Sequence, residues 1–182
     1  MELDHVLIAV SDLDAAAREV EDRLGLASVE GGRHQGLGTA NRIVPLGATY
    51  LELVAVVDEA EAAQSGFGSW LVGGDRPRLL GWCARTDDLD AVAARLGLTI
   101  SDGARTRPDG TVLSWRMAGL ERSAEEPSLP FFIEWGQGTP YPGEALGQSA
   151  TIRELRISVG DGSPELRSVL VDDTVLDPSL WP

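Results

Sequence analysis

Asp12-Leu13-Asp14-Ala15, with Arg23-Leu24-Gly25-Leu26 downstream, decides the fold, because the chain writes both again as Asp88-Leu89-Asp90-Ala91 and Arg95-Leu96-Gly97-Leu98. The first tetrapeptide recurs after 76 residues, from 12 to 88. Two such matches in the same order mark an internal repeat. Each stretch has the grammar of a helix. An Asp suits the N-cap, where its carboxylate accepts from free backbone N–H groups, and the next acid faces the positive end of the helix dipole. Leu13, Ala16, Val20 and Leu24 follow at helical spacing, and a Gly ends each copy.

Outward from these helices the same order of elements appears twice. Residues 3–10 and 79–84 are apolar runs that read as the strands entering each helix. Three strand-like stretches follow each helix: 27–30, 40–46 and 49–57 in the first copy, and 99–101, 111–117 and 130–135 in the second. Gly47-Ala48 suits a tight hairpin, whereas the second copy has a polar loop over 121–128. The expectation is an α+β chain with one β-α-β-β-β module over 1–58 and another over 78–138. Residues 59–77 read as a linker with packing residues around Phe67, Trp70 and Leu71. Residues 150–182 read as a C-terminal strand-helix extension, the strand at 152–159 and the helix at 163–171.

Composition narrows the function. A net charge of −14 disfavours nucleic acid and anionic membrane surfaces, both of which need Lys and Arg. The 182 residues contain no Lys, so a Schiff-base lysine mechanism is excluded. The lone Cys83 cannot form an internal disulfide and has no His near it in sequence to activate it. No apolar run has the length of a membrane span and no signal-peptide pattern opens the chain, so a cytoplasmic protein is expected, as monomer or homodimer.

The tandem unit, with His5 in its first strand and Glu52 in its fourth, resembles the vicinal oxygen chelate superfamily. The stretch Gly31-Gly32-Arg33-His34-Gln35-Gly36-Leu37-Gly38-Thr39-Ala40-Asn41, running on to Tyr50-Leu51-Glu52-Leu53, is similar to its glyoxalase-like domains. The resemblance implies that the two modules form a half-open barrel around a groove. It also implies a metal held by one residue from the first strand and one from the last strand of each module. His5 and Glu52 fill the first module's places. Glu134, centred in Phe132-Ile133-Glu134-Trp135 as Glu52 is in its own strand, fills one of the second module's; by the offset of 76 the other falls on Gly81.

The residues support this in part. Glu52 and Glu134 stand in apolar strands, where an ionised carboxylate needs a metal, an Arg such as Arg42 or Arg116, or water. One imidazole and two carboxylates with open positions suit Zn, Mn, Fe, Co or Ni. His34 and Asn41 are candidates for contact with substrate, and Arg116 for holding an anionic one. Strand alternation places Trp82 and Trp135 opposite Gly81 and Glu134, away from the groove. The expected activity is that of a metal-dependent lyase or isomerase of the glyoxalase type acting on a small oxygenated molecule, with Glu52 or Glu134 moving a proton. The alternative is a metal-free groove that sequesters a small organic molecule, which Gly81 favours.

Overall fold

Both Asp-Leu-Asp-Ala stretches start helices. In the computed structural model, which describes residues 1–72, 77–159 and 164–181, the Asp12 carboxylate accepts from the backbone N–H groups of Asp14 and Ala15 at the head of α1 (Leu13–Leu24). Asp88 accepts from that of Ala91 at the head of α4 (Leu89–Leu96). Gly25 and Gly97 end the two helices at φ +68° and +67°, a left-handed turn that favours glycine.

Around these helices run β1 (Glu2–Ala9), β2 (Val29–His34), β3 (Thr39–Pro45) and β4 (Tyr50–Val56), then β5 (Arg78–Arg85), β6 (Ile100–Thr106), β7 (Val112–Ala118) and β8 (Phe131–Trp135). They pair in the order β1-β4-β3-β2-β6-β7-β8-β5 and close on themselves. The half-open groove is therefore replaced by a closed barrel. Closure comes from β2 and β6 running longer than their apolar content suggests. Arg33 pairs with Thr106 and His34 with Arg105, so residues expected in loops join the sheet.

The repeat is visible in the register. In the antiparallel pair β1–β5, His5 lies opposite Cys83 and Leu7 opposite Gly81, the symmetric pairing that a 76-residue offset requires. In the parallel pairs, Leu7 stands beside Glu52 on β4 and Cys83 beside Phe131 on β8. The counterpart of Glu52 is thus Phe131. Glu134 lies three residues further on, and an odd slip turns a side chain to the other face.

The insert between the copies forms α2 (Glu59–Ala62) and α3 (Gly66–Val72), and its remaining residues 73–76 lie outside the described ones. Phe67 and Leu71 of α3 pack with Leu7, Ala9, Val54, Cys83, Phe131 and Ile133 into an apolar cluster that fills one part of the barrel. The polar loop of the second copy contains α5 (Leu120–Glu125). A second cluster lies on the opposite face of β1 and β4, where Val6, Ile8, Leu51 and Leu53 meet Ala16 and Val20 of α1.

That second cluster also receives the C-terminal segment, which differs from expectation. Over the described part of 163–171 the chain is a strand, β10 (Pro164–Val171), between β9 (Ile152–Val159) and β11 (Thr174–Leu176). A bulge at Arg167 breaks the alternation, so Leu166, Val169 and Val171 all become buried. Ser168 is buried beside them, so the burial of β10 departs from strict alternation. Among the described residues no helix is long and apolar enough to cross a membrane.

Candidate functional site

Inside the barrel an apolar-walled cavity reaches a set of buried polar side chains. Leu7, Leu37, Phe67, Trp115, Met117, Phe131, Ile133 and Trp135 form much of its wall, and His5, His34, Tyr50, Glu52 and Arg105 its polar lining. The free space is about 50 Å³ for the centres of water-sized molecules, enough for a small ligand.

His5 is set by an irregularity in its own strand. Leu3 pairs with Ala84 and His5 with Cys83, which leaves Asp4 as an extra residue in a bulge. The bulge lets two consecutive side chains meet: His5 Nδ1 lies 2.7 Å from Asp4 Oδ1, and both residues are buried. Asp4 Oδ2 accepts from Trp135 Nε1 at 3.1 Å. The Tyr141 hydroxyl lies 3.2 Å from the Asp4 carbonyl oxygen and 3.0 Å from that of Ala48. On its other side, the His5 ring stacks on Tyr50 with centroids 4.6 Å apart, and Nε2 faces Glu52 Oε2 at 3.5 Å.

Asn41 organises the rest. Its Nδ2 donates to Glu52 Oε1 at 2.7 Å and lies 3.2 Å from His34 Nε2, while its Oδ1 accepts from Arg105 Nη1 at 2.7 Å. With Asn41 donating to Nε2, His34 keeps its proton on Nδ1, beside Thr39 Oγ1 at 2.8 Å. Burial pushes the His34 imidazole down to about 4, so it is neutral at neutral pH. Burial acts strongly to raise the Glu52 carboxyl, but His5, His34 and Arg105 together with the Asn41 hydrogen bond outweigh it. The carboxyl stays below its usual value and is ionised at neutral pH. Burial, with the charges of Asp4 and Glu52 nearby, pushes the Cys83 thiol well up, which leaves it inert.

Of the residues expected at the site, the structure brings together His5, His34, Asn41 and Glu52. It does not bring Glu134 or Arg116 to them. Arg116 Nη2 pairs with Glu134 Oε1 at 3.0 Å and with Asp90 Oδ2 at 2.7 Å, and Glu134 Oε2 accepts from the Leu89 N–H at the start of α4. Trp135, expected to face away, lines the cavity because the alternation of β8 is the reverse of the one assumed for Glu134. Trp82 does face away, donating to the Ser128 carbonyl oxygen. Asp4, Arg105 and Tyr141 escaped sequence reasoning. Asp4 needed knowledge of the bulge, and Arg105 lies beyond the point where the apolar signal of β6 ends.

The residues present do not form the metal set that the superfamily resemblance implies. Among the described residues no group of three or more His, Cys, Asp and Glu side chains is placed to hold a metal ion. The Asn41 amide stands between His34 and Glu52 and occupies an atom of each. The two positions of the second copy are Phe131 and Gly81. A Cβ on Gly81 would lie 2.7 Å from Trp70 Cη2, so the indole of α3 takes the space of a fourth ligand.

The comparisons agree with this fold. A hypothetical protein from Staphylococcus aureus superposes with a TM-score of 0.69 at 18% identity, over 86% of this chain and 69% of that one. Methylmalonyl-CoA epimerase from Mycobacterium tuberculosis matches at 26% identity and a TM-score of 0.51, over 74% of this chain and 86% of that one. A Streptomyces coelicolor methylmalonyl-CoA epimerase in complex with 2-nitronate-propionyl-CoA gives 20% and 0.55, over 77% and 98%. No curated protein matches the chain. The family model described as a glyoxalase-like domain matches residues 3–169, and the chain therefore belongs to that family, within the vicinal oxygen chelate superfamily.

Proposed function

We propose that the chain is an isomerase or epimerase that moves a proton on a small oxygenated molecule, with Glu52 as the base. The observation that carries this reading is a carboxylate that is 7% exposed yet held ionised at the wall of a ligand-sized cavity. Oε1 is fixed by Asn41, which leaves Oε2, facing His5 Nε2, as the oxygen that receives the proton. A C–H next to a carbonyl would lose its proton to Oε2, and the electron pair left on carbon would spread onto the carbonyl oxygen. The Arg105 guanidinium lines the same cavity and suits that developing charge. Return of the proton from Glu52 to a neighbouring atom isomerises the molecule, and return to the same carbon after the planar intermediate turns over in the cavity inverts it. The likeness to a methylmalonyl-CoA epimerase supports this class of chemistry.

The divalent metal of the original expectation enters no step, because the donor set does not assemble. A second reading, a metal-free binding protein, is favoured by Trp70 and Phe131 filling two of the superfamily's ligand positions.

Solvent deuterium exchange into small carbonyl compounds, followed by proton NMR, separates the two. The isomerase reading expects exchange that Glu52→Gln slows by about two to four orders of magnitude while ligand still binds. Binding with no exchange in any compound would overturn it in favour of sequestration. Elemental analysis of protein prepared without a metal column checks the metal, and one tightly held divalent ion per chain would overturn the metal-free mechanism.

A further inference from the structure

We propose that the ligand of the barrel cavity is a short-chain carboxylate and that Arg105 receives its carboxyl group. This rests on the reading of that cavity as the substrate site and adds the chemical class of the substrate. Arg105 is 2% exposed and lines the cavity. Its one hydrogen bond goes to the neutral Asn41 Oδ1. No carboxylate among the described residues forms an ion pair with its guanidinium, whereas Asp4 and Glu52 both face His5.

A buried cation without a contacting anion is costly, and a guanidinium offers five N–H donors in a planar fork that fits a carboxylate. The fold makes room for it. A Cβ on Gly31 would lie 2.2 Å from Arg105 Nη1 and 2.0 Å from Asn41 Oδ1, so the missing side chain on β2 is the notch in which this pair sits. Burial also pulls the guanidinium below its usual value; the Glu52 charge opposes this without reversing it, and an anion in direct contact would relieve it further. Asn41 then fixes the spacing, because one amide holds Arg105 through its oxygen and Glu52 through its nitrogen. A carboxylate on Arg105 presents its adjacent carbons to Glu52, with Trp115, Phe131 and Trp135 as apolar walls. The free space restricts the chain to roughly three to six heavy atoms.

The test is calorimetric titration of the full chain with propionate and pyruvate against propionamide and pyruvamide at constant ionic strength. Each acid should bind at least about tenfold more tightly than its amide, as charge-assisted hydrogen bonds give. Arg105→Gln should bring the acid to the level of the amide, and Arg105→Lys should restore part of the preference. Equal binding of acid and amide, binding of neither, or a preference that survives in Arg105→Gln overturns the proposal. If Arg105→Gln does not fold, the acid-to-amide comparison in the unmodified protein decides alone. Acid preference without proton exchange would sink the isomerase reading and leave this one standing. Exchange on neutral compounds without acid preference would do the reverse.

Discussion

Asp4 and His5 are neighbours in the chain, yet both are buried and joined, Asp4 Oδ1 to His5 Nδ1 at 2.7 Å. A regular strand would send them to opposite faces; the bulge that leaves Asp4 without a partner on β5 brings them together. Asp4 therefore positions His5, fixing its ring so that Nε2 faces Glu52. Asp4→Asn should slow proton exchange by about 10- to 100-fold, the usual cost of losing an orienting partner, with little change in ligand affinity. NMR of the His5 ring nitrogens should show an altered tautomer balance. Unchanged exchange and unchanged ring signals would remove this role.

His34 makes stability depend on pH in a definite direction. The folded chain keeps it neutral down to about pH 4, whereas its ordinary value is 6.5. Between those values the unfolded chain binds more protons, so stability is full above 6.5 and is lost as pH falls toward 4. The loss from this group is about 3 kcal/mol, from 1.36 kcal/mol per pKa unit. Glu52, held below its usual value, adds a further loss in the acid range below 4.5. Urea unfolding between pH 7 and 4 should show a shallower pH dependence in His34→Gln than in the unmodified protein. Parallel curves would refute the assignment.

Glu134 provides a test of the register. Its carboxylate accepts from the Leu89 N–H at 2.8 Å and pairs with Arg116, so it supports the start of α4 rather than the cavity. Glu134→Gln should cost about 0.5–2 kcal/mol of stability, as loss of helix-end capping does, and leave proton exchange and metal content unchanged. A large loss of exchange in a folded variant would return Glu134 to the site.

These outcomes bear on how much of the protein its sequence reveals. The helix caps were legible because Asp12, Asp88, Gly25 and Gly97 act through local backbone geometry. His5 and Glu52 stand out in the sequence as polar residues of apolar strands, and His34 and Asn41 as polar residues in and beside a glycine-rich stretch. What escaped depends on pairing between distant strands. Glu134 was matched to Glu52 by similar neighbours, but β5 against β8 fixes the register, and it puts Phe131 there. Arg105 was hidden because only closure of β2 on β6 carries a polar stretch into the barrel. The C-terminal strand was hidden because one bulge changed the period of its buried residues.

Gly81 and Trp70 supply the last prediction, since the resemblance puts a metal ligand where the structure has an indole. A Cβ at residue 81 would lie 2.7 Å from Trp70 Cη2, 3.2 Å from Cζ2 and 3.3 Å from Ser123 Oγ. The strain in Gly81→Ala is one of contact, and it should destabilise the protein by about 1–3 kcal/mol, as overpacking does. Trp70→Ala should destabilise through lost packing against the barrel, yet it clears the space that the new methyl group needs. In the double variant the cost of Gly81→Ala should nearly vanish, a coupling of at least about 1 kcal/mol between the two sites. Urea denaturation of the four proteins measures that coupling. Strictly additive costs would mean that Trp70 does not occupy the vacant ligand position, and the reason given for the missing fourth ligand would fall with it.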